Sequence, residues 1–155
     1  MTIRTSVLLL LVATFGAGST WAATDVGALQ ALHEKVMEAH RQSNVELLLE
    51  DESADYTVAS RGEVLRPTIA QRRERLGPYL RRTAFAEYKD TVEPVVTVSK
   101  DGTLGWVVVQ VQARGVQTGA DGKKETIEFV SAWIELYEKR GSRWYRTGNV
   151  SNFKE

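Results

Sequence analysis

ETIEFVSAWIELYE at residues 125–138 and WYRTGNVSNF at residues 144–153 are the two stretches that decide the fold. Both are rich in β-branched and aromatic residues, and the intervening KRGSR at residues 139–143 contains the glycine of a tight turn. Together they predict a long antiparallel hairpin. We expect this hairpin to belong to a large curved sheet that packs against helices.

Both faces of the first strand are apolar, because side chains along a strand alternate between its two sides. One face carries Val130, Ala132, Ile134 and Leu136; the other carries Ile127, Phe129, Ser131, Trp133, Glu135 and Tyr137. A strand with two apolar faces is covered on both, so we expect helices on the concave face and a second layer, such as another subunit, on the convex one. The aliphatic set is the cleaner core pattern, which predicts that this set faces the core.

The chain before this hairpin predicts helices first and strands afterwards. Apolar spacing predicts helices at residues 24–43, 45–50 and 69–79, a short hairpin at 56–65, and strands at 85–98 and 104–114. Thr24 and Asp25 are expected to cap the first helix. In the last strand we expect Asn149 and Ser151 on one face and Arg146 on the other. This order predicts an α+β domain with its helices on one face of a bent sheet.

Several short motifs, taken in order, resemble one superfamily. They are Asp55-Tyr56, Arg61-Gly62-Glu63-Val64, Pro67-Thr68, Asp101-Gly102 before Trp106, Trp133, and Trp144 followed by Gly148-Asn149-Val150-Ser151. This pattern resembles the nuclear transport factor 2-like superfamily, in particular its SnoaL-like bacterial branch. The resemblance covers nearly all of residues 23–155. It implies a single domain in which a cone-shaped curved antiparallel sheet wraps around N-terminal helices, with one pocket at the open end.

That superfamily includes ketosteroid isomerase, scytalone dehydratase, polyketide cyclases and epoxide hydrolase, alongside members with no catalytic role. The fold therefore does not assign an activity. None of the catalytic motifs of those enzymes matches this sequence residue by residue. The resemblance implies a pocket and transfers no catalytic residue.

The N-terminal residues 1–22 predict a secretory signal peptide. Arg4 is followed by an apolar run at residues 7–13 and by small residues at 16–23. The apolar run is too short to span a bilayer, although an uncleaved anchor is the alternative interpretation. Cleavage after Ala22 or Ala23 predicts a periplasmic or secreted protein that has no membrane attachment.

Composition argues against several classes of partner. The 20 basic and 20 acidic residues balance, so there is no electrostatic case for nucleic acid or an anionic membrane surface. The chain has no cysteine, no glycine-rich phosphate loop and no zinc-type ligand spacing. We therefore predict neither a cofactor nor a metal. The basic residues at 72–82 are interpreted as a solvated helix face.

Three side chains are candidates for acid–base chemistry: Glu135, His33 and Asp55. Glu135 shares its strand face with Trp133 and Tyr137, so a cavity on that side would raise its pKa by desolvation. If the same face is convex, Glu135 is a surface charge. His33 and His40 lie two helical turns apart, too far to share one metal, and a structural role is the alternative for His33. Asp55 begins the first strand.

The predicted ligand pocket is lined by the first helix and the sheet: His33, Met37, Tyr56, Tyr79, Trp106 and Trp133. Our first hypothesis is an exported protein that binds a small, mostly apolar molecule. The second is a cofactor-independent isomerase, dehydratase or cyclase that uses one acid or base in that pocket. The third is a dimeric interaction module without a working pocket. If the aromatic face of the sheet is convex, its side chains are exposed. We therefore predict that two chains form a homodimer through this face.

Overall fold

Three helices and seven strands make up the part of the chain that the computed structural model describes, residues 18–153. Side chains are described for residues 24–152. In chain order the elements are α1 (Gly18–Arg41), α2 (Val45–Leu49), β1 (Glu52–Ser60), β2 (Glu63–Leu65), α3 (Ile69–Arg82), β3 (Thr83–Asp90), β4 (Val95–Val98), β5 (Leu104–Thr118), β6 (Lys124–Arg140) and β7 (Arg143–Phe153). Residues 1–17 of the predicted signal peptide lie outside the described residues. No described helix is both long enough and apolar enough to cross a membrane.

The seven strands form one curved, open sheet in the order β2-β1-β7-β6-β5-β3, with β4 also paired to β5. The predicted hairpin is present, because β6 and β7 pair from Ser131–Phe153 to Arg140–Arg143. The expected sheet was entirely antiparallel, and one pair corrects that expectation: β1 runs parallel to β7. The sheet is therefore mixed, while the α+β class and the cone of strands around helices are as predicted.

The core lies between α1 and the concave face of the sheet. Val107, Val109 and Val111 on β5 are at most 2% exposed and pack against Leu29 and Met37 of α1. These odd-numbered positions alternate along β5 and form one purely apolar face. Their burial removes that face from water, which stabilises the fold.

The face of β6 that turns toward the core is opposite to the expected one. Glu135 and Tyr137 are 0% and 2% exposed, whereas Leu136 is 38% exposed. The register with β5 explains the difference, because directly paired residues share a face and Glu135 pairs with Val107. The purely apolar face of β5 thus fixes which face of β6 is buried. The aliphatic set lies on the convex side.

Helix boundaries differ from the sequence prediction where tertiary contacts override local signals. α1 begins at Gly18, so Asp25 is not its cap. Instead Asp25 is buried, accepting hydrogen bonds from Lys139 Nζ at 2.6 Å and from Trp144 Nε1 at 3.0 Å. Thr68 does cap α3, in a reciprocal capping box with Gln71. The helix continues past its predicted end to Arg82, because the buried side chain of Leu80 packs against α1 and α2.

Candidate functional site

A cavity of about 430 Å³ opens between the helices and the concave face of the sheet. Its deep wall includes the buried side chains of Tyr56, Glu135 and Arg146. Exposed residues such as Arg61 and Arg75 mark its mouth. Aliphatic and aromatic side chains line much of the rest, among them Val36, Leu48, Val58, Leu76, Phe129 and Trp133. A pocket of this size and mixed lining suits a small molecule.

Glu135 accepts hydrogen bonds from three side chains. Trp133 Nε1 donates at 2.9 Å and His33 Nδ1 lies at 3.2 Å from Oε1, while the Tyr137 hydroxyl donates to Oε2 at 2.6 Å. Burial alone would raise the pKa of Glu135, but the hydrogen bonds and charges of its neighbours, His33 first among them, lower it to about 2. The carboxylate is thus ionised and already hydrogen-bonded. We expected a cavity on this face to raise the pKa of Glu135 and make it a candidate base. That expectation is wrong, because its pKa is lowered.

His33 lies between two carboxylates. Its Nδ1 faces Glu135, and its Nε2 lies 3.1 Å from Asp90 Oδ2. Burial would lower the pKa of His33, but the hydrogen bonds and negative charges of Glu135 and Asp90 raise it overall. Both ring nitrogens face acceptors, so the ring is protonated and donates in both directions. His33 does not reach the cavity lining.

A second buried cluster surrounds Glu52. Arg72 donates to it twice, from Nε at 2.5 Å and from Nη2 at 2.6 Å, and Arg146 Nη2 donates at 2.7 Å. The same Arg146 nitrogen donates to the Leu48 carbonyl at 2.8 Å. Both guanidinium groups also lie over the ring of Tyr56, with centroid distances of 4.1 Å for Arg72 and 5.7 Å for Arg146. Arg72, Arg146 and Tyr56 all line the cavity.

A bulge in β7 brings Arg146 to the cavity. Leu136 pairs with Gly148 while Tyr137 pairs with Arg146, so Thr147 is the extra residue. Simple alternation had placed Arg146 opposite Asn149 and Ser151. The bulge shifts the alternation by one residue, and all three side chains line the same cavity. The expectation of opposite faces is therefore wrong.

His40 is the histidine that lines the cavity. Its Nδ1 lies 2.8 Å from the Val36 carbonyl, which can only accept, so Nδ1 carries the proton and Nε2 is unprotonated. The ring stacks on Tyr88 at a centroid distance of 4.4 Å. Burial lowers the pKa of His40 to about 4. At neutral pH this ring is uncharged and can accept a hydrogen bond.

The residues predicted for the pocket divide into two groups. Tyr56, Tyr79 and Trp133 line the cavity. Met37 packs in the core, and His33 lies behind the cavity wall. The expectation for Trp106 is wrong, because it alternates with the buried Val107 and projects from the convex face, 37% exposed.

Asp55, the third acid–base candidate, lies at the surface. Its carboxylate pairs with Arg140 Nη2 at 3.0 Å, and its side chain is 69% exposed. An exposed, paired carboxylate has no apolar surroundings that would make it a base. Asp55 therefore takes no part in the cavity.

Four residues of the site were not among the predicted site residues: Glu52, Arg72, Arg146 and His40. Arg72 was interpreted as part of a solvated helix face, yet it is only 6% exposed. A signal was present, because Arg72 lies on one helical stripe with Leu76 and Leu80, at spacings of four residues. The charge of Arg72 was given more weight than its position. Among the described residues, no group of three or more acidic or histidine side chains is arranged to hold a metal ion.

Neither a family model nor a curated protein sequence matches this chain. Solved structures do match. A candidate scytalone dehydratase from Novosphingobium aromaticivorans superposes with a TM-score of 0.70 at 11% identity, over 88% of this chain and 89% of that one. A type 2 hexachlorocyclohexane dehydrochlorinase gives 0.69 at 13% identity, over 88% and 90%. An NTF2-like protein from Cytophaga hutchinsonii gives 0.63 at 12% identity, over 83% and 97%.

The chain has the nuclear transport factor 2-like fold. Helices inside a cone of strands, with a cavity at the open end, are what the resemblance implied. Sequence identities this low carry the fold and no activity. The chemistry of the NTF2-like cavity in this protein must therefore be argued from its own side chains.

Proposed function

We propose that this protein binds a small, mostly apolar molecule in the NTF2-like cavity and acts as an exported binding protein of the SnoaL-like type. The observation that carries the proposal is the cavity itself, a space of about 430 Å³ whose wall combines apolar and aromatic side chains with polar and charged ones. Export is proposed from the sequence of residues 1–22 alone.

The pKa of Glu135 and the hydrogen bonds of Glu135 and His33 favour ligand binding over proton transfer. A general base needs a pKa near the working pH and a free lone pair directed at its substrate. Glu135 has a pKa lowered to about 2, and three side chains already hydrogen-bond to it. His33 is held between two carboxylates. Glu135 thus has hydrogen bonds at both oxygens, and His33 does not line the cavity.

A neutral fluorescent probe, N-phenyl-1-naphthylamine, tests the proposal directly. We expect saturable binding at one site per chain. Val58→Trp fills the cavity wall with an indole, so it should weaken binding at least tenfold. Val108→Trp is the matched control, because Val108 projects from the opposite face and is 36% exposed. No saturable binding, together with no co-purified ligand in native mass spectrometry, would contradict the proposal.

A second candidate function, a cofactor-independent isomerase or dehydratase, is favoured by one observation. His40 is neutral, its tautomer is fixed by the Val36 carbonyl, and its Nε2 is unprotonated. Such a nitrogen can accept a proton from a bound substrate. The test is deuterium incorporation from D2O into whatever ligand native mass spectrometry identifies. Exchange that disappears in His40→Gln and persists in His33→Gln would support an enzyme.

We retain homodimerisation through the sheet as a proposal, with a different set of residues. The aromatic face of β6 is concave, so it is not available to a second chain. The convex face instead exposes Trp106, Val108, Leu136 and Val150, each at least 36% exposed. Trp106 pairs directly with Leu136, which makes the two side chains neighbours. Light scattering should show a dimer for the native protein and a monomer for Leu136→Asp.

A further inference from the structure

We propose that the ligand of this cavity carries a carboxylate, which binds to the guanidinium groups of Arg72 and Arg146. This inference rests on the proposed function and adds the chemical class of the ligand. The two arginines are only 6% and 5% exposed, and both line the cavity. A ligand can therefore reach them from the cavity. Buried polar groups that face a cavity are expected to have partners in the occupied state.

The charges around Glu52 do not balance. Two guanidinium groups share this one carboxylate. Glu135 does not make up the difference in a hydrogen bond, because its oxygens accept from His33, Trp133 and Tyr137. Glu135 acts on Arg146 through its charge alone, so a bound carboxylate would be the second hydrogen-bonded partner of the two guanidinium groups, since pairing stabilises a charge that has been removed from water.

The guanidinium groups also retain donors. Arg146 uses Nη2 for Glu52 and for the Leu48 carbonyl, and Arg72 uses Nε and Nη2 for Glu52. Among the residues that the structure describes, no further hydrogen bond of either group is seen, so both Nη1 atoms keep N–H groups to donate. Planar N–H donors match the two oxygens of a carboxylate.

The guanidinium groups are held in place before any ligand arrives. The ring of Tyr56 packs against both, and Glu52 fixes their orientation. Preorganised donors lose little conformational entropy on binding. Beyond them, the cavity wall is apolar at Leu76 and Phe129. The arrangement fits a small amphipathic acid with its carboxylate inward.

The total charge of the lining agrees with this. Four arginines, at positions 61, 72, 75 and 146, and two glutamates, at 63 and 135, line the cavity. Arg61 and Arg75 are exposed at the mouth, where they attract anions without fixing their orientation. The buried pair therefore provides the recognition, and the exposed pair favours entry.

A matched pair of probes, 2-naphthoate and 2-naphthamide, tests the proposal by isothermal titration calorimetry on the full protein. The two have nearly the same shape and differ in charge. We expect the wild type to bind the acid at least about tenfold more tightly than the amide, which corresponds to one charge-assisted hydrogen bond. Arg72→Gln should reduce that preference to about twofold or less, and Arg72→Lys should restore part of it.

Arg73→Gln is the matched control, because Arg73 is the next residue of α3 but pairs with Glu46 at the exposed surface. It should leave the preference for the acid unchanged. If the cavity takes the neutral N-phenyl-1-naphthylamine but shows no preference for the acid, the carboxylate proposal is overturned and the proposed function stands. If neither the neutral probe nor the acid binds, both are overturned. The wild-type ratio decides the matter even if Arg72→Gln does not fold.

Discussion

Glu135 and Glu52 are two buried glutamates at one cavity, and their surroundings differ in kind. Glu135 is surrounded by a histidine, an indole and a phenol, which together donate to both of its oxygens. Glu52 is surrounded by two arginines, each of which has N–H groups left over. The first cluster is closed, and the second remains open toward a ligand. A buried acid thus marks a binding site only when its partners still have donors to offer.

The largest effect is expected from Glu52→Gln. This change leaves two buried guanidinium groups without an ionised partner, and breaking a buried ion pair typically costs about 3–5 kcal/mol. Urea unfolding should show a free energy of unfolding lowered by that amount. Glu46→Gln, at an ion pair whose side chains are 64% and 47% exposed, should leave it nearly unchanged, because water and salt screen an exposed pair. Equal effects of the two changes would contradict the buried cluster.

Glu135→Gln should cost less, about 2 kcal/mol, which is typical of a hydrogen bond to a charged group. An amide oxygen at the Oε1 position can still accept from Trp133 and His33, while the amide N–H at the Oε2 position can donate to the Tyr137 hydroxyl. His33 also keeps Asp90 as a partner. The control is Glu128→Gln, which removes an exposed ion pair with Arg114. The preference for 2-naphthoate over 2-naphthamide should survive in Glu135→Gln. Its loss would mean that the two clusters do not act separately.

Tyr137→Phe isolates one donor of the closed cluster. It removes the 2.6 Å hydrogen bond to Glu135 Oε2 from a side chain that is 2% exposed. The expected cost is about 1–1.5 kcal/mol in the free energy of unfolding. The change should also raise the pKa of Glu135, because that hydrogen bond is one of the causes that lower it. Unchanged stability in urea would show that the hydroxyl contributes nothing to the cluster.

A dependence of stability on pH is also expected, and it arises from the closed cluster and from His40. The folded-state pKa of His33 is raised, so its contribution to stability is complete below about pH 6.5 and is lost as pH rises through the raised value. The folded-state pKa of His40 is lowered to about 4, so its contribution is complete above about pH 6.5 and is lost as pH falls toward 4.

Proton NMR of the two histidine rings measures this contrast. The chain has only two histidines, and His33→Gln assigns their signals. One resonance should titrate above pH 6.5 and the other near pH 4. Two resonances that both titrate near 6.5 would contradict the buried environments of both rings.

Much of the fold followed from the sequence, because alternation and helical spacing are local. The β6–β7 hairpin, the buried face of β5 and the Thr68 cap were all predictable in this way. The buried face of β6 was not, since it depends on pairing with β5 rather than on its own composition. Leu136 is more apolar than Glu135, yet Glu135 is the buried one.

The site was less predictable than the fold, because it is made of charges. Tyr56, Tyr79 and Trp133 were identified because aromatic residues are recognisable as pocket lining. Arg72 and Arg146 are buried only because Glu52, from a third element, lies between them. That ion pairing joins residues up to 94 positions apart in sequence, which no local pattern can indicate. Long-range charge pairs must be seen in three dimensions.

The bulge at Thr147 divides β7 into two segments with opposite parity. Even-numbered residues face inward before it, at Trp144 and Arg146, and odd-numbered residues face inward after it, at Asn149 and Ser151. Deleting Thr147 would remove the bulge and make the pairing of β7 with β6 regular. Only one of the two segments could then keep its inward face. Either Arg146 or the pair Asn149 and Ser151 would turn to the convex side. The polar wall of the cavity thus depends on the length of the chain at this point as much as on which residues it contains.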